Sequence, residues 1–357
     1  MRRETKRIKI GNVFIGAGND IAIQSMTNVS SHDKNALISQ ISELSDAGCQ
    51  IVRIAIPDME AARVLGEVKK LSPVPLVADI HFDYKLAIEA IKEGADKIRI
   101  NPGNIGDLDK VKAVVKEAKA AGVPIRVGVN SGSLESDILK KYGGVTHEGL
   151  AESALRNLEL IEDMGFDDLV VSLKSSNVSM NYDAHKIIAE KTNYPIHIGV
   201  TEAGTIKKGK IKSAVGIGAL LLEGIGDTLR VSLTANPIEE VIFAKELLET
   251  VGLRKPIYDL VSCPTCGRTK IDLEKLAEEV DGALSSLKDL KPGLKVSVMG
   301  CAVNGPGEAR ESDYGIAGGE GKGIVFCKGE IVKTVPESEL VKELVDLIIE
   351  REGVEAV

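Results

Sequence analysis

The chain is 357 residues long with a formal charge of −8, 53 acidic against 45 basic side chains, 43% hydrophobic residues, no tryptophan and five cysteines. That length allows two domains with sizeable cores, and an acidic chain with few aromatic rings argues against a nucleic-acid surface, which needs a basic, stacking face. No run approaches the roughly 18 apolar residues of a membrane span, the charged start lacks a signal-type apolar core, and an odd, unframed cysteine set suits a reducing compartment, so no membrane partner and a cytoplasmic location are expected.

Residues 6–25 read as two short strands around Gly11 and Gly16-Ala17-Gly18, leading into Ile21-Ala-Ile-Gln-Ser-Met26. From there an apolar β run, a turn and a helix of 3.6-residue period recur. Strands are predicted at 51–56, 75–79, 97–101, 125–129, 169–173, 196–200 and 229–233, and the run at Ile21 makes eight. The helices between them, among them 35–47, 110–121, 148–164 and 237–251, are amphipathic, and several end at a glycine C-cap such as Gly48, Gly94, Gly122, Gly165 or Gly252. Eight βα units in about 230 residues predict an α/β fold, a (β/α)8 TIM barrel over 1–252, with its chemistry at the C-terminal ends of the strands. A doubly wound open sheet competes, but no G-x-G-x-x-G follows the first strand, and Gly216-Ile-Gly218 and Gly224-Ile-Gly226 lie off any strand-to-helix turn.

After Gly252 the rhythm breaks. A short run 256–261, a helix at 272–287, a strand at 295–299, two strands near Ile324 and Ile331 and a helix at 338–351 predict a smaller C-terminal α+β domain over 253–357.

Parallel barrel strands are normally filled with Val, Ile and Leu, so charges inside them need a reason. Arg53, Arg99, Arg126 and Arg230 each occupy the interior of a different strand. Period-2 alternation puts Asn101 with Arg99, Asn130 with Arg126, Ser232 with Arg230 and Ser172 with Lys174. If those faces point inward, four guanidinium groups and an ammonium converge at the mouth, which suits a phosphate or diphosphate. The alternative is internal pairing with the acids at strand ends, Asp79 and Glu202, either of which could also move a proton. His81 and His197 are candidate substrate contacts, though a histidine on a strand is more often structural.

Three cysteines cluster in motifs, Cys263-Pro-Thr-Cys266 and Cys301-Ala-Val-Asn-Gly-Pro-Gly-Glu308. A thiolate pair two residues apart with a third from a distant segment can close a metal site. Pro264, Gly267, Gly300, Gly305 and Gly307 let the backbone turn tightly around them. The pair alone is compatible with a redox disulfide, structural zinc or iron-sulfur. No histidine follows His197 and Cys327 lies in an apolar run, so three thiolates plus a carboxylate or an open position favour an iron-sulfur cluster.

Together, R-I-A-I-P at Arg53, A-D-I-H-F at Asp79, K-I-R-I-N-P-G-N at Arg99, R-V-G-V-N-S-G-S-L at Arg126, S-L-K-S-S at Lys174, G-V-T-E-A-G at Glu202, R-V-S-L-T at Arg230, S-C-P-T-C-G-R-T at Cys263 and M-G-C-A-V-N-G-P-G-E at Cys301 closely resemble the 4-hydroxy-3-methylbut-2-en-1-yl diphosphate synthase family, from about Lys6 to about Lys333. The resemblance implies an oxidoreductase of the non-mevalonate isoprenoid pathway. Such enzymes reductively open 2-C-methyl-D-erythritol 2,4-cyclodiphosphate to 4-hydroxy-3-methylbut-2-enyl diphosphate with a 4Fe-4S cluster and two electrons from ferredoxin or flavodoxin. It further implies cluster ligands at Cys263, Cys266, Cys301 and Glu308, and diphosphate contacts at Arg53, Arg99, Arg126, Lys174, Arg230 and Ser232 with Asn130 nearby. It also implies a homodimer in which the cluster domain of one subunit covers the barrel mouth of the other. Glu202 and Glu308 are the catalytic candidates. A non-redox barrel enzyme, an aldolase or isomerase for a phosphorylated substrate with a zinc-bound C-terminal module, is the alternative.

Overall fold

Strands covered on both faces must be apolar almost throughout, and helices that follow them need a cap where they leave the strand tops. The computed structural model, which describes residues 2–301 and 311–356, caps most of the barrel helices and fills much of the strand surface with apolar residues, with polar and charged side chains the exceptions. The chain divides into two compact units, Met1–Leu253 and Arg254–Val357.

The first unit opens with a hairpin, β1 (Ile8–Ile10) and β2 (Val13–Ile15), turned at Gly11 with φ +58°. Barrel strands follow: β3 (Ala22–Met26), β4 (Ile51–Ala55), β5 (Leu76–Asp79), β6 (Lys97–Ile100), β7 (Ile125–Asn130), β8 (Leu169–Lys174), β9 (His197–Ile198) and β10 (Thr228–Leu229). Their order is β8-β7-β6-β5-β4-β3-β10-β9, all parallel, and a bridge from Val171 to Ile196 joins the ends. The helices are α1 (Lys34–Asp46), α2 (Met59–Lys69), α3 (Tyr84–Lys92), α4 (Pro102–Ile105), α5 (Leu108–Ala121), α6 (Ser136–Tyr142), α7 (His147–Glu162), α8 (Val178–Lys191), α9 (Ile206–Leu222) and α10 (Pro237–Thr250). Side chains of Asp33, Asp58, Asp83, Asp107, Thr146, Asn177 and Asn236 accept the first free N–H groups of seven of them. The seventh and eighth strands are shorter than predicted. At Gly199 a Cβ would come within 2.6 Å of the Arg230 carbonyl, so the two chains run too close there for a regular ladder of side chains.

The hairpin fixes which strand faces look inward. Ile8, Ile10 and Ile15 pack on Ala22, Ile51, Val77 and Val170, one residue from each of four strands, and so plug the N-terminal end of the barrel. Counting by twos from that layer puts Gln24 and Met26, Arg53, Asp79, and Ser172 and Lys174 on the same inward face.

The second unit holds β11 (Tyr258–Ser262), α11 (Leu273–Ser285), β12 (Leu287–Lys288), β13 (Leu294–Met299), β14 (Tyr314–Gly318), β15 (Lys322–Cys327), β16 (Glu330–Pro336), a helix Leu340–Glu352 and β17 (Glu355–Ala356). Its main sheet runs β11-β13-β14-β15-β16, the first three parallel and the rest antiparallel. Leu276, Val280 and Leu284 of α11 share a core with Val296, Val298, Ile316, Leu344 and Ile348. β14, fully buried, has no counterpart among the predicted strands, and its two glycines, Gly315 and Gly318, weaken any strand signal. Both glycines are required by packing: a Cβ would meet Phe326 at 2.3 Å and Ile271 at 2.3 Å respectively. Among the described residues no helix is long and apolar enough to cross a membrane.

Candidate active site

The inward faces bring the predicted cations together. Arg53, Arg99, Arg126, Lys174 and Arg230 line one cavity of about 230 Å³ with Asn130, Ser172, Ser232, Asp79, His81, Met26 and Thr201. Asp79, Asn130 and Lys174 close β5, β7 and β8 and Arg230 follows β10, so the cavity opens at the C-terminal strand ends, where barrel chemistry is built, while Arg126, the second residue of β7, lies deeper.

Asp79 is the hub. Arg99 Nη1 lies 3.3 Å from its Oδ1, Arg53 Nε 3.8 Å from its Oδ2, and His81 Nε2 3.3 Å from Oδ2. Burial alone would raise this carboxyl, but Arg53, His81, Arg99 and Arg126 outweigh it and hold Asp79 well below the usual carboxylate range. The cations suffer the reverse. Burial, only partly offset by Asp79 and reinforced by Arg230 and Arg99, pushes Arg53 down to about 10. Burial and the neighbouring arginines likewise lower Arg126 and Lys174. Five cations thus face one carboxylate in the cavity, and the imbalance favours an anionic guest with several oxygens.

Two glycines make room for these side chains. At Gly128 a Cβ would stand 2.5 Å from Arg99 Nε, and Arg99 Nη2 donates to the Gly128 carbonyl at 3.3 Å. At Gly199 a Cβ would stand 3.3 Å from Lys174 Nζ. Both sit in motifs already visible in the sequence, R-V-G-V-N and H-I-G-V, yet their small size was not read as space for a charge.

Sequence reasoning also missed three polar groups. Glu240, in the first turn of α10, is buried and accepts from Arg230 Nε at 3.3 Å, Ser25 Oγ at 3.2 Å and the Leu233 N–H at 3.0 Å. Its position on a helix hid it. Gln24 and Lys97 lie deeper in the barrel, and the period-2 count from Arg99 could have found Lys97.

The two histidines separate. His81 lines the cavity with its side chain half-exposed. His197 is fully buried and its Nδ1 lies 2.7 Å from Thr228 Oγ1, so it is structural rather than the substrate contact considered from sequence. Glu202, four residues beyond β9, is exposed and does not line the cavity, although its neighbour Thr201 does. Its φ of +51° is a conformation that a non-glycine residue rarely adopts.

In the second unit the parallel pairing of β11 with β13 brings two cysteine segments to one sheet end. Ser262 is opposite Val298, the Cys263 N–H donates to the Val298 carbonyl at 3.4 Å, and the Gly300 N–H donates to Cys263 Sγ at 3.2 Å. Cys301 follows directly. The Cys266 N–H donates to Thr269 Oγ1 at 3.2 Å, and Lys270 N–H reaches the Gly300 carbonyl at 3.3 Å, tying the Cys266 turn to the Cys301 segment. A backbone hydrogen bond from Arg268, with Thr269 and Arg268 side chains assisting, lowers the Cys266 thiol. All three cysteines are free thiols. Among the described residues no three Cys, His, Asp or Glu side chains converge on one metal ion. Glu308 lies outside the described residues.

Cys327 is elsewhere. It pairs with Tyr314, which pairs with Val296, so it is level with the start of β13 while Cys301 lies past its end. The two are offset by up to roughly 16 Å along the strand direction, and Cys327 is a further two strands across the sheet.

Sequence comparison matches the same division. The family description GcpE TIM-barrel domain covers residues 5–245, and GcpE protein C-terminal domain covers 259–350. The chain belongs to the GcpE family. It is similar to the 4-hydroxy-3-methylbut-2-en-1-yl diphosphate synthase (flavodoxin) of Caldanaerobacter subterraneus subsp. tengcongensis, 56% identical over 96% of each chain. The Bacillus subtilis (strain 168) protein of that name is 52% identical over 98% of this chain and 93% of its own. Among solved structures, Yersinia pestis dihydropteroate synthase superposes with a TM-score of 0.51 over 69% of this chain and 98% of its own at 13% identity, a likeness of barrel fold. For a member of the GcpE family the cation-lined mouth and the cysteine-bearing sheet end are the two places where chemistry is to be sought.

Proposed function

We propose that the chain is an oxidoreductase that opens 2-C-methyl-D-erythritol 2,4-cyclodiphosphate to 4-hydroxy-3-methylbut-2-enyl diphosphate, the reaction for which its relatives are named. The observation that carries the site assignment is the cavity of five cations around one carboxylate at the barrel mouth. In this reaction the C–O bond at the tertiary carbon breaks, the primary ester stays, a hydroxyl leaves as water and a carbon–carbon double bond forms. Two electrons and one net proton balance it, and side chains cannot supply the electrons.

On this reading Arg53, Arg99, Arg126, Lys174 and Arg230 hold the diphosphate, with Ser232 and Asn130 donating to its remaining oxygens. Negative charge grows on the phosphate oxygen as the ring opens, and the same guanidinium groups face it without rearranging. Asp79 fixes Arg53 and Arg99 in their places. Glu202 moves a proton, its exposed position and positive φ fitting a residue held for function rather than for packing. Cys263, Cys266, Cys301 and Glu308 would hold a 4Fe-4S cluster, which when bound supplies the electrons, with reduced flavodoxin as donor and ferredoxin as the second candidate. The units divide the work, diphosphate binding in the first and the cluster in the second, and the free thiols suit the cytoplasm.

The active form on this reading is a homodimer in which the cluster unit of one subunit serves the barrel of the other. Support comes from α9, which is apolar outside as well as inside: Ile211, Val215 and Leu222, spaced four and seven apart on one stripe, are 57–73% exposed. The helix is basic at its start (Lys207, Lys208, Lys212) and acidic at its end (Glu223), so an antiparallel copy places opposite charges together.

Anaerobic purification tests the cluster. The protein should be brown and hold about four iron and four sulfide per chain; colourless protein with one zinc would overturn the assignment.

A further inference from the structure

Beneath the cavity lies a basic side chain that the proposed diphosphate contacts leave unused. Lys97, the first residue of β6, is 0% exposed and points inward two residues below Arg99. Its Nζ lies 3.5 Å from Gln24 Oε1, and Arg126 Nη1 lies 3.4 Å from the same oxygen, so two buried basic side chains share one neutral acceptor. Among the described residues no carboxylate comes within ion-pair distance of Lys97, and the inward acid Asp79 is engaged by Arg53 and Arg99. Among the described residues the charged or titratable groups facing Lys97 are Arg126, Arg53 and His197, whose buried ring has no partner among them at Nε2. Burial first, then Arg126 and Arg53, push Lys97 well below the usual lysine range, and nothing opposes them. A buried ammonium without a counter-ion is costly, whereas the neutral amine is tolerated.

We propose that Lys97 is uncharged in the free barrel and takes up one proton from solvent when a polyanion occupies the cavity above it. Anion binding and charging of the cavity floor are then one coupled event. The anion brings the negative charge that this interior lacks, and the resulting ammonium donates to Gln24 and backs Arg126 from below. Lys97 is thus a positioning residue, acting through Gln24 and Arg126 without touching the ligand. Because the protonated form binds more tightly, affinity rises as pH falls through the range where the free protein keeps Lys97 neutral.

The inference rests on the diphosphate reading, and one experiment separates the two. The holoenzyme is titrated calorimetrically with 2-C-methyl-D-erythritol 2,4-cyclodiphosphate at pH 8 in two buffers of different ionisation enthalpy. The ligand carries only strongly acidic phosphoryl groups, so it does not titrate there. Wild type should take up protons on binding, and Lys97→Met should take up about one fewer per site and bind several-fold more weakly. Lys97→Gln carries the same expectation should the Met variant not fold. The Lys97 variants subtract only the Lys97 share of the wild-type total. Binding without proton uptake in wild type overturns the inference whatever the variants do, as does undiminished uptake in a folded variant. Absence of binding overturns the diphosphate reading itself.

Discussion

Arg230 is held at 3.3 Å by Glu240, a residue ten positions later on the following helix, and the same carboxylate ties down Ser25 and the Leu233 backbone. The last strand of the barrel thereby presents its arginine in one orientation. Glu240→Gln keeps the shape but removes the charge from that clamp, and should weaken cyclic diphosphate binding by about 1 kcal/mol, roughly fivefold. Arg230→Ala should lose ~2 kcal/mol or more, and Arg126→Ala a similar amount. Calorimetric titration measures all three, and in each the cluster absorption should be unchanged.

The cysteine assignment makes a sharp distinction between two thiols of similar exposure. Cys301→Ser should lose iron, whereas Cys327→Ser, two strands across the sheet and offset along the strand direction, should match wild type in iron content and turnover. Glu308→Ala should assemble a cluster on three thiolates with altered electron-spin-resonance features and faster iron loss to chelators. Identical spectra, iron content and turnover would show that Glu308 is not a ligand.

Acid should loosen the barrel through a buried histidine that does not line the cavity. His185 on α8 is fully buried with Nδ1 2.6 Å from the Asn181 carbonyl, and burial, against that hydrogen bond, lowers it from 6.5 to about 4. A group lowered in the folded state contributes stability that is complete above pH 6.5 and is lost as pH falls toward 4, because only the unfolded chain binds the proton in that window. The loss amounts to about 3 kcal/mol. His197, also lowered, adds to the same window, and Asp79 acts only below its ordinary value of 3.8. His185→Gln should therefore flatten, without abolishing, the fall in Tm between pH 6.5 and 4.

The outer stripe of α9 tests the assembly. Val215 is 57% exposed, and Val215→Glu should yield monomers by light scattering that still bind the cyclic diphosphate but turn it over poorly. Dimers of unchanged stability would remove α9 from the interface.

Most of the barrel was legible because its strands are apolar runs and its helices begin at Asp, Asn or Thr and end at Gly, signals that local physics enforces. The inward cations were legible for the opposite reason: Arg99 and Arg126 break the apolar rule, and alternation gives their face. Glu240 was not, since a glutamate in a first helical turn ordinarily serves the helix dipole, and its burial depends on a strand that sequence cannot place beside it. β14 was hidden by Gly315 and Gly318, whose missing side chains are dictated by Phe326 and Ile271 across the sheet. For His197 the sequence left both readings open and favoured the structural one; its partner Thr228, on another strand, decides it.

The most direct measurement is a single turnover. Anaerobic protein with its cluster reconstituted and chemically reduced is mixed with 2-C-methyl-D-erythritol 2,4-cyclodiphosphate and followed by phosphorus NMR, with Arg126→Ala as control. The expected result is loss of the cyclic signals and appearance of a linear diphosphate ester with a terminal phosphate, slowed strongly in the variant. Cyclic diphosphate that persists unchanged beside fully reduced, iron-replete protein would contradict the account.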